Sequence, residues 1–411
     1  MSERILILNT YSHKNPISGG QRRVAAIVDK YKELGLDVYY VGVYSHTSVS
    51  PDMNTLGPYD VLIHSKKSLD AIDIAHHEYI GDVAVGHVSA EDPEVYGELI
   101  KRIHQYQPHF IELEHPYMLP FIQRAKEEGH ITDQVIIHSS HNVEYLMKEQ
   151  MLEADDRISP ARKKEIIKTV KDTEAELCKV AAYTIAVTQA DADSFREFGA
   201  NEVIVAPNAI GIPFRSKLAT ENLRRKYETS DVSKTIVFVG SAHPPNLQGY
   251  LDVVGTKLGF LPYGTRLIVA GTVSWMIHDY IRRQSPAEQK TFDLRTTLAG
   301  RVTDAELAAI LDLADVIILP ITTGGGSNLK TAEAIYSGKP VLGTDFSFRG
   351  FEDYADLPGI NLVTTKEAFH AKMAEMTSDS YKEVKRSASE VKKAGRVLWP
   401  HALERLKEIV S

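Results

Sequence analysis

Short all-apolar runs alternate with segments of helical period from one end of the chain to the other. Ile5-Leu6-Ile7-Leu8 is followed by Gly19-Gly20 and then by an amphipathic stretch, Arg22 to Leu34. Val38 to Val43, Val61-Leu62-Ile63, His109 to Leu113, Val135 to His138, Tyr183 to Val187 and Val203 to Ala206 continue the apolar series. A strand wetted on one face alternates polar with apolar residues, whereas a strand apolar throughout is covered on both. The pattern therefore predicts a parallel sheet between helical layers. After Pro207-Asn208 and a polar stretch, Ser216 to Lys234, the series restarts with Thr235 to Gly240. Leu267 to Ala270, Leu294 to Ala299, Val316 to Leu319, Pro340 to Leu342 and Asn361 to Val363 follow. Two doubly wound α/β halves of about 200 and 180 residues are expected, joined near residues 207–214. The tail, Ser380 to Ser411, reads as helical except at Trp399-Pro400, where the proline opens a final helix.

Composition narrows the class. Of the 411 residues 43% are hydrophobic and 25% charged, as in soluble globular proteins. A net charge of -8 argues against nucleic acid as the main partner, because no basic excess is available to neutralise a phosphate backbone. The single cysteine, Cys178, fits a reducing compartment and reads as a buried helical residue. Met1-Ser2-Glu3-Arg4 runs straight into a strand without an apolar signal core, so a cytoplasmic protein is expected. The basic clusters Arg162-Lys163-Lys164 and Arg224-Arg225-Lys226 read as solvated helix faces, and they leave peripheral contact at the inner face of a membrane open. Oligomeric state is not legible.

Candidate chemistry sits at the carboxyl ends of the apolar runs, where open α/β sheets bind ligands. Gly324 to Asn328 follows the run ending at Pro320 and leads into a short helix, Leu329 to Ser337, that stops at Gly338. A glycine-rich loop entering a helix leaves unpaired backbone N–H groups at the positive end of the helix dipole, which suits phosphate. Lys330 and Glu333 lie three apart on one helix face, a cation for phosphate and a carboxylate for a sugar or ribose hydroxyl. An ordinary strand-to-helix turn is the plainer alternative. Gly19-Gly20 reads as a helix entry or as a close approach of backbone to a ligand. His115 and His141 each follow an apolar run, and Pro116 predicts an extended backbone at His115. Gly240 and Ser241 end another run, and a nucleobase could lie against the Arg301-Val302 backbone. Thr188 to Asp193 reads as a helix cap in preference to a metal site, and His76-His77-Glu78 is a poor metal site because adjacent side chains diverge.

In this order, "IVFVGS", "LAGRVTD", "ADVIILP", "GGGSNLKTAEAIYSGKPVLGT" and "VLWPHALERL" resemble glycosyltransferases of the GT-B fold, specifically retaining family 4. The resemblance implies two Rossmann-like domains facing a cleft. Residues 1–208 would bind the acceptor, residues 209–385 the nucleotide-sugar donor, and a C-terminal helix of about 386–411 would cross back to the first domain. It implies transfer from a nucleoside diphosphate sugar to an acceptor hydroxyl of a glycan, a lipid-linked saccharide or a small molecule, with retention and with neither metal nor other cofactor. On this resemblance Glu333 holds the donor ribose, and Gly325, Gly326, Ser327 and Asn328 line the sugar and diphosphate. Gly19 and Gly20 form the loop under the diphosphate, and His115 lies near the donor sugar. Two departures stand out. Gly325 occupies the place of the first acid of the E-x7-E motif, and Ser241 and Asn246 replace the basic pair, a lost charge that Lys330 would restore. A GT-B epimerase, a phosphorylase and a non-catalytic sugar-nucleotide binder are the alternatives.

Overall fold

The computed structural model describes residues 2–16, 18–45, 57–74, 80–153, 155–227, 231–324, 327–382 and 385–410. Two compact units result, Met1–Pro207 with Leu403–Ser411, and Asn208–Ala402.

In the first unit the strands are β1 (Arg4–Asn9), β2 (Asp37–Ser45), β3 (Val61–Ile63), β4 (Phe110–Glu114), β5 (Val135–Ser139), β6 (Tyr183–Ala186) and β7 (Glu202–Val205). They form one parallel sheet in the order β3-β2-β1-β4-β5-β6-β7. Ile5 pairs in register with Val38 on one side and Phe110 on the other. Ile5, Leu6 and Ile7 are fully buried, as a strand covered on both faces requires. The second unit repeats the plan with β8 (Lys234–Val239), β9 (Thr265–Ala270), β10 (Thr296–Gly300), β11 (Val316–Leu319), β12 (Val341–Gly343) and β13 (Ile360–Leu362). Its parallel order is β10-β9-β8-β11-β12-β13. Strand order reverses between β1 and β4 and again between β8 and β11. At such a reversal neighbouring loops diverge and open a crevice at the carboxyl ends of the strands.

Three expectations need correction. Gly19 and Gly20 are the first residues of the helix Gly19–Glu33, entered through a capping box between Ser18 and Gln21. Leu294 belongs to the helix Pro286–Arg295, which Ser285 and Glu288 start with a second capping box, so β10 begins at Thr296. The tail is not helical from Ser380, nor does it leave the second unit near residue 386. Its helix starts at Ala388 behind the cap Ser387. Val397 O and Trp399 N then bond Ile210 N and O, each at 3.0 Å, while Ala394 and Val397 enter the core of the second unit. Only Leu403 onward joins the first unit, where Glu404–Ile409 packs against β7.

One glycine holds the loop after β8 in place. Gly271 has φ +91°, and a Cβ there would stand 2.2 Å from Gly240 O. Gly240 in turn donates to Ala270 O at 3.0 Å and accepts from Val273 N at 3.1 Å. Gly271→Ala is expected to destabilise the second unit by about 3 kcal/mol or more, read as a lower denaturation midpoint of that unit.

Candidate functional site

Each unit gathers polar side chains at its own strand-order reversal. In the second unit, Asn328 enters the helix Leu329–Ser337 with extended backbone and no side-chain capping bond, which leaves its first turn open to an acceptor. Gly338 ends it in the left-handed conformation, as the sequence indicates. Lys330 Nζ donates to Asn246 Oδ1, and Asn246 Nδ2 donates to Ser241 O at 2.9 Å and to Ser241 Oγ at 3.2 Å. Thus the loop after β8 and the helix after β11 are tied through one lysine. Burial lowers the Lys330 amine to about 8, with Glu333 pulling the other way. Burial and the neighbouring Lys330 charge likewise lower His243. Ser327 is buried, its carbonyl accepts from Asn208 Nδ2 at 3.2 Å, and its hydroxyl has no hydrogen-bond partner among the described residues. Gly324 has φ +125°, a conformation only glycine adopts without strain. Gly325 and Gly326 lie outside the described residues, as do His76, His77 and Glu78. Arg301 is exposed in the turn after β10, and Val302 packs against the hydrophobic core.

In the first unit, His115 follows β4 with φ +74° and ψ 162°. The helical region is avoided, as Pro116 requires, but a positive φ in a non-glycine residue replaces the ordinary extended conformation expected from sequence. Such backbone costs about 1–3 kcal/mol and persists only where its surroundings impose it. Here the surroundings are explicit. His115 N donates to Ser139 O at 3.1 Å, and Nδ1 donates to Glu144 Oε1 at 2.9 Å. His115 Nε2 lies 3.2 Å from the Tyr11 hydroxyl. His141 follows β5, its ring centroid 4.3 Å from that of His115, and its Nε2 donates to Glu114 Oε2 at 2.7 Å.

The charges sort by environment. Burial would raise the Glu144 carboxyl, but His115, Lys148 and the Tyr117 hydroxyl hold it down at about 2. Burial would lower His115, yet Glu144 raises it overall. Burial and the adjacent His115 charge push His141 down to about 4 despite Glu114. Glu114 stays low against burial because His141 hydrogen-bonds it, whereas burial and the Glu114 charge drive Glu112 well up. At neutral pH His141 is therefore neutral, with its proton on the nitrogen facing Glu114, and Nδ1 carries a lone pair. A Cβ on Gly20 would stand 3.2 Å from that Nδ1 and 3.0 Å from the Tyr11 hydroxyl. Gly20 thus keeps the space beside both groups clear, a close approach that the dipeptide by itself left undecided.

Several members of these clusters were not singled out from sequence. Glu112 lies on the same face of an otherwise apolar buried strand as Glu114, and that misplaced polarity was its signal. Glu174 carried none. It lies within the helix Pro160–Val180 and accepts Glu144 N at 2.8 Å and Tyr145 N at 3.3 Å, capping a different helix from a distance. Burial raises it to about 8. Thr188 and Asp191 form a capping box, as their spacing indicates. Cys178 is buried, and burial lifts its thiol to about 12.

Two such sheets, each reversing its strand order over a polar cluster, define a GT-B protein. Solved structures agree: sucrose-phosphate synthase from Thermosynechococcus elongatus is 14% identical, with a TM-score of 0.67 over 99% of this chain and 98% of that one. HepE of Anabaena, solved in complex with UDP, is 13% identical, with a TM-score of 0.67 over 99% of each chain. A trehalose 6-phosphate synthase from Burkholderia multivorans is 15% identical, with a TM-score of 0.62 over 100% of this chain and 96% of that one. No curated protein sequence matches the chain. Residues 233–379, within the second unit, match the family described as glycosyl transferases group 1. Among the described residues no helix is long and apolar enough to cross a membrane.

Proposed function

We propose that the protein moves a glycosyl unit from a nucleoside diphosphate sugar to an acceptor hydroxyl, with retention and without a metal, in the manner of family 4. The observation that carries this reading is Lys330, half-buried on the first turn of an uncapped helix and held by Asn246. In such chemistry negative charge grows on the departing diphosphate, and preorganised N–H donors with a desolvated cation stabilise it. Lys330 takes the place of the family's missing basic pair, Gly240, Ser241 and Ser327 flank it, and Glu333 is positioned for the ribose. Arg301 and Val302 would meet the base. HepE has been solved with UDP and with UDP and glucose, and a UDP-forming trehalose-phosphate synthase with glucose-6-phosphate. These support a nucleotide-sugar donor and a carbohydrate acceptor here.

The first unit would serve the acceptor. Neutral His141 offers the Nδ1 lone pair to a hydroxyl proton, and His115, fixed by Glu144, sets the plane of its neighbour. A thermal-shift series of nucleosides, nucleoside diphosphates and their sugars tests the reading. One nucleoside diphosphate should stabilise the protein by about 2.7 kcal/mol at a hundred times its Kd. Its sugar should then be hydrolysed slowly without acceptor, separating an enzyme from a binder. No response to any nucleoside diphosphate would sink the proposal.

A further inference from the structure

Four exposed large apolar side chains of the second unit lie around one cavity or close to its lining in sequence, whereas Tyr263, Trp275, Tyr280 and Leu294 lie on other segments. Ile212, Phe214 and Leu218 are 75%, 70% and 68% exposed, and Val391 is 59% exposed. Ile212 and Val391 rim one cavity of about 510 Å³, whose lining includes Arg215, Tyr336, Ser337, Lys385 and Arg386. Lys217 and Lys392 adjoin the apolar tips in sequence, and Arg224, Arg225 and Lys226 form the last turn of the helix on which Leu218 lies. Against them stand Asp312, which pairs with Arg215 at 3.3 Å, Glu221 and Glu390. Glu306 also lies within reach of the Lys226 charge, but the cavity lining itself holds three cations and no carboxylate, on a chain whose net charge is -8.

Arg386 is rigidly placed, with Nε and Nη1 donating to Pro358 O at 3.2 Å and Ile335 O at 2.5 Å. Its Nη2 has no hydrogen-bond partner among the described residues. The other basic run lies in the first unit. Arg162 is paired with Glu165 at 2.8 Å, Lys163 donates to Glu153 O at 3.3 Å, and neighbouring Ile166 is buried.

A phosphorylated solute would account for the cations and leave the apolar tips in water without a role. An anionic phospholipid surface answers to both: phosphate for the cations, acyl chain for the tips. We propose that this face seats the second unit on anionic phospholipid, with Ile212, Phe214 and Leu218 entering the acyl boundary. The cavity beside Arg215, Lys385 and Arg386 receives a headgroup phosphate. The reaction would then run where lipid-linked acceptors are presented, but the inference stands apart from the donor chemistry.

Co-sedimentation of the full chain with phosphatidylcholine vesicles, with and without one-third phosphatidylglycerol, provides the test. The protein should sediment with the anionic vesicles only. Binding should weaken as salt rises from about 0.1 M to about 1 M, which shortens the Debye length from about 10 to about 3 Å. Replacing Ile212, Phe214 and Leu218 together by serine should lower the partition coefficient at least about tenfold. The nucleoside diphosphate thermal shift of that variant should be unchanged, which shows that it folds. Arg215→Ser with Lys385→Ser should remove the preference for anionic lipid. Absence of wild-type binding, or equal binding by the serine variant, overturns the proposal. So does a concentration-dependent dimer that the serine variant abolishes without any vesicle binding, which would assign the face to a second copy.

Discussion

Lys330→Ala is expected to lower turnover about 10²–10³-fold in a protein that remains folded, the usual effect of removing one preorganised electrostatic donor. The side chain lies on the surface of its helix, half-buried, and its partner Asn246 is neutral, so truncation leaves no buried charge behind. Two pH profiles should move in opposite directions. The amine titrates near 8 in the fold and near 10.5 when unfolded. Between these values the unfolded chain holds a proton that the fold has released, so this residue makes stability rise with pH. Diphosphate affinity depends on the charged amine and should fall as pH passes about 8. Lys330→Arg, which stays charged, should lose that break while retaining binding. Titration of diphosphate affinity by calorimetry from pH 6 to 10 reads the fall in affinity, and denaturation over the same range reads the rise in stability (the range spans about two units either side of the amine's value). An unchanged break in the arginine variant would remove Lys330 from the donor site.

Glu144→Ala should destabilise the first unit by about 3–5 kcal/mol, because His115 loses the partner of a buried pair and the Tyr117 hydroxyl its acceptor. A denaturation series reading that unit checks the magnitude. The pair's contribution has a defined pH window. Glu144 titrates near 2 in the fold and near 4.5 when unfolded, so its share is present above 4.5 and is lost as pH falls through about 2. His115 is raised above 6.5, so its share is full below 6.5 and disappears as pH rises through the folded value. The pair is therefore strongest between about 4.5 and 6.5. Glu144→Gln keeps an acceptor but removes the charge, and His115 should then titrate lower than in the wild type in an NMR titration, since burial is opposed only by Glu114 and Asp82. A His115 that still titrates high in that variant would refute the ion pair.

Each apolar run named from the sequence overlaps a strand, most clearly where burial on both faces leaves no alternation to misread. Where local signals competed, the reading slipped. Leu294 has strand-like neighbours, yet the box begun at Ser285 carries the helix through Arg295. The tail has helical composition from Ser380, but a pairing of Trp399 and Val397 with Ile210 retains it in the second unit. The capping box at Thr188 was legible because donor and acceptor lie three residues apart. The cap from Glu174 onto Glu144 spans 30 residues and left no local trace.

The sequence by itself determined the two doubly wound halves, the strand ends where open α/β sheets as a class bind ligands, and the residue types waiting there. Apolar patterning and glycine-rich loops are local, and a chain of residues displays them without folding. Tertiary structure alone decided the pairings. It brought Lys330 onto Asn246 across 84 residues, set His115 between Tyr11 and Glu144, and left Gly20 as the space beside His141. It also decided the protonation states, because a charge in such a cluster is fixed by burial and by neighbours that come from different strands.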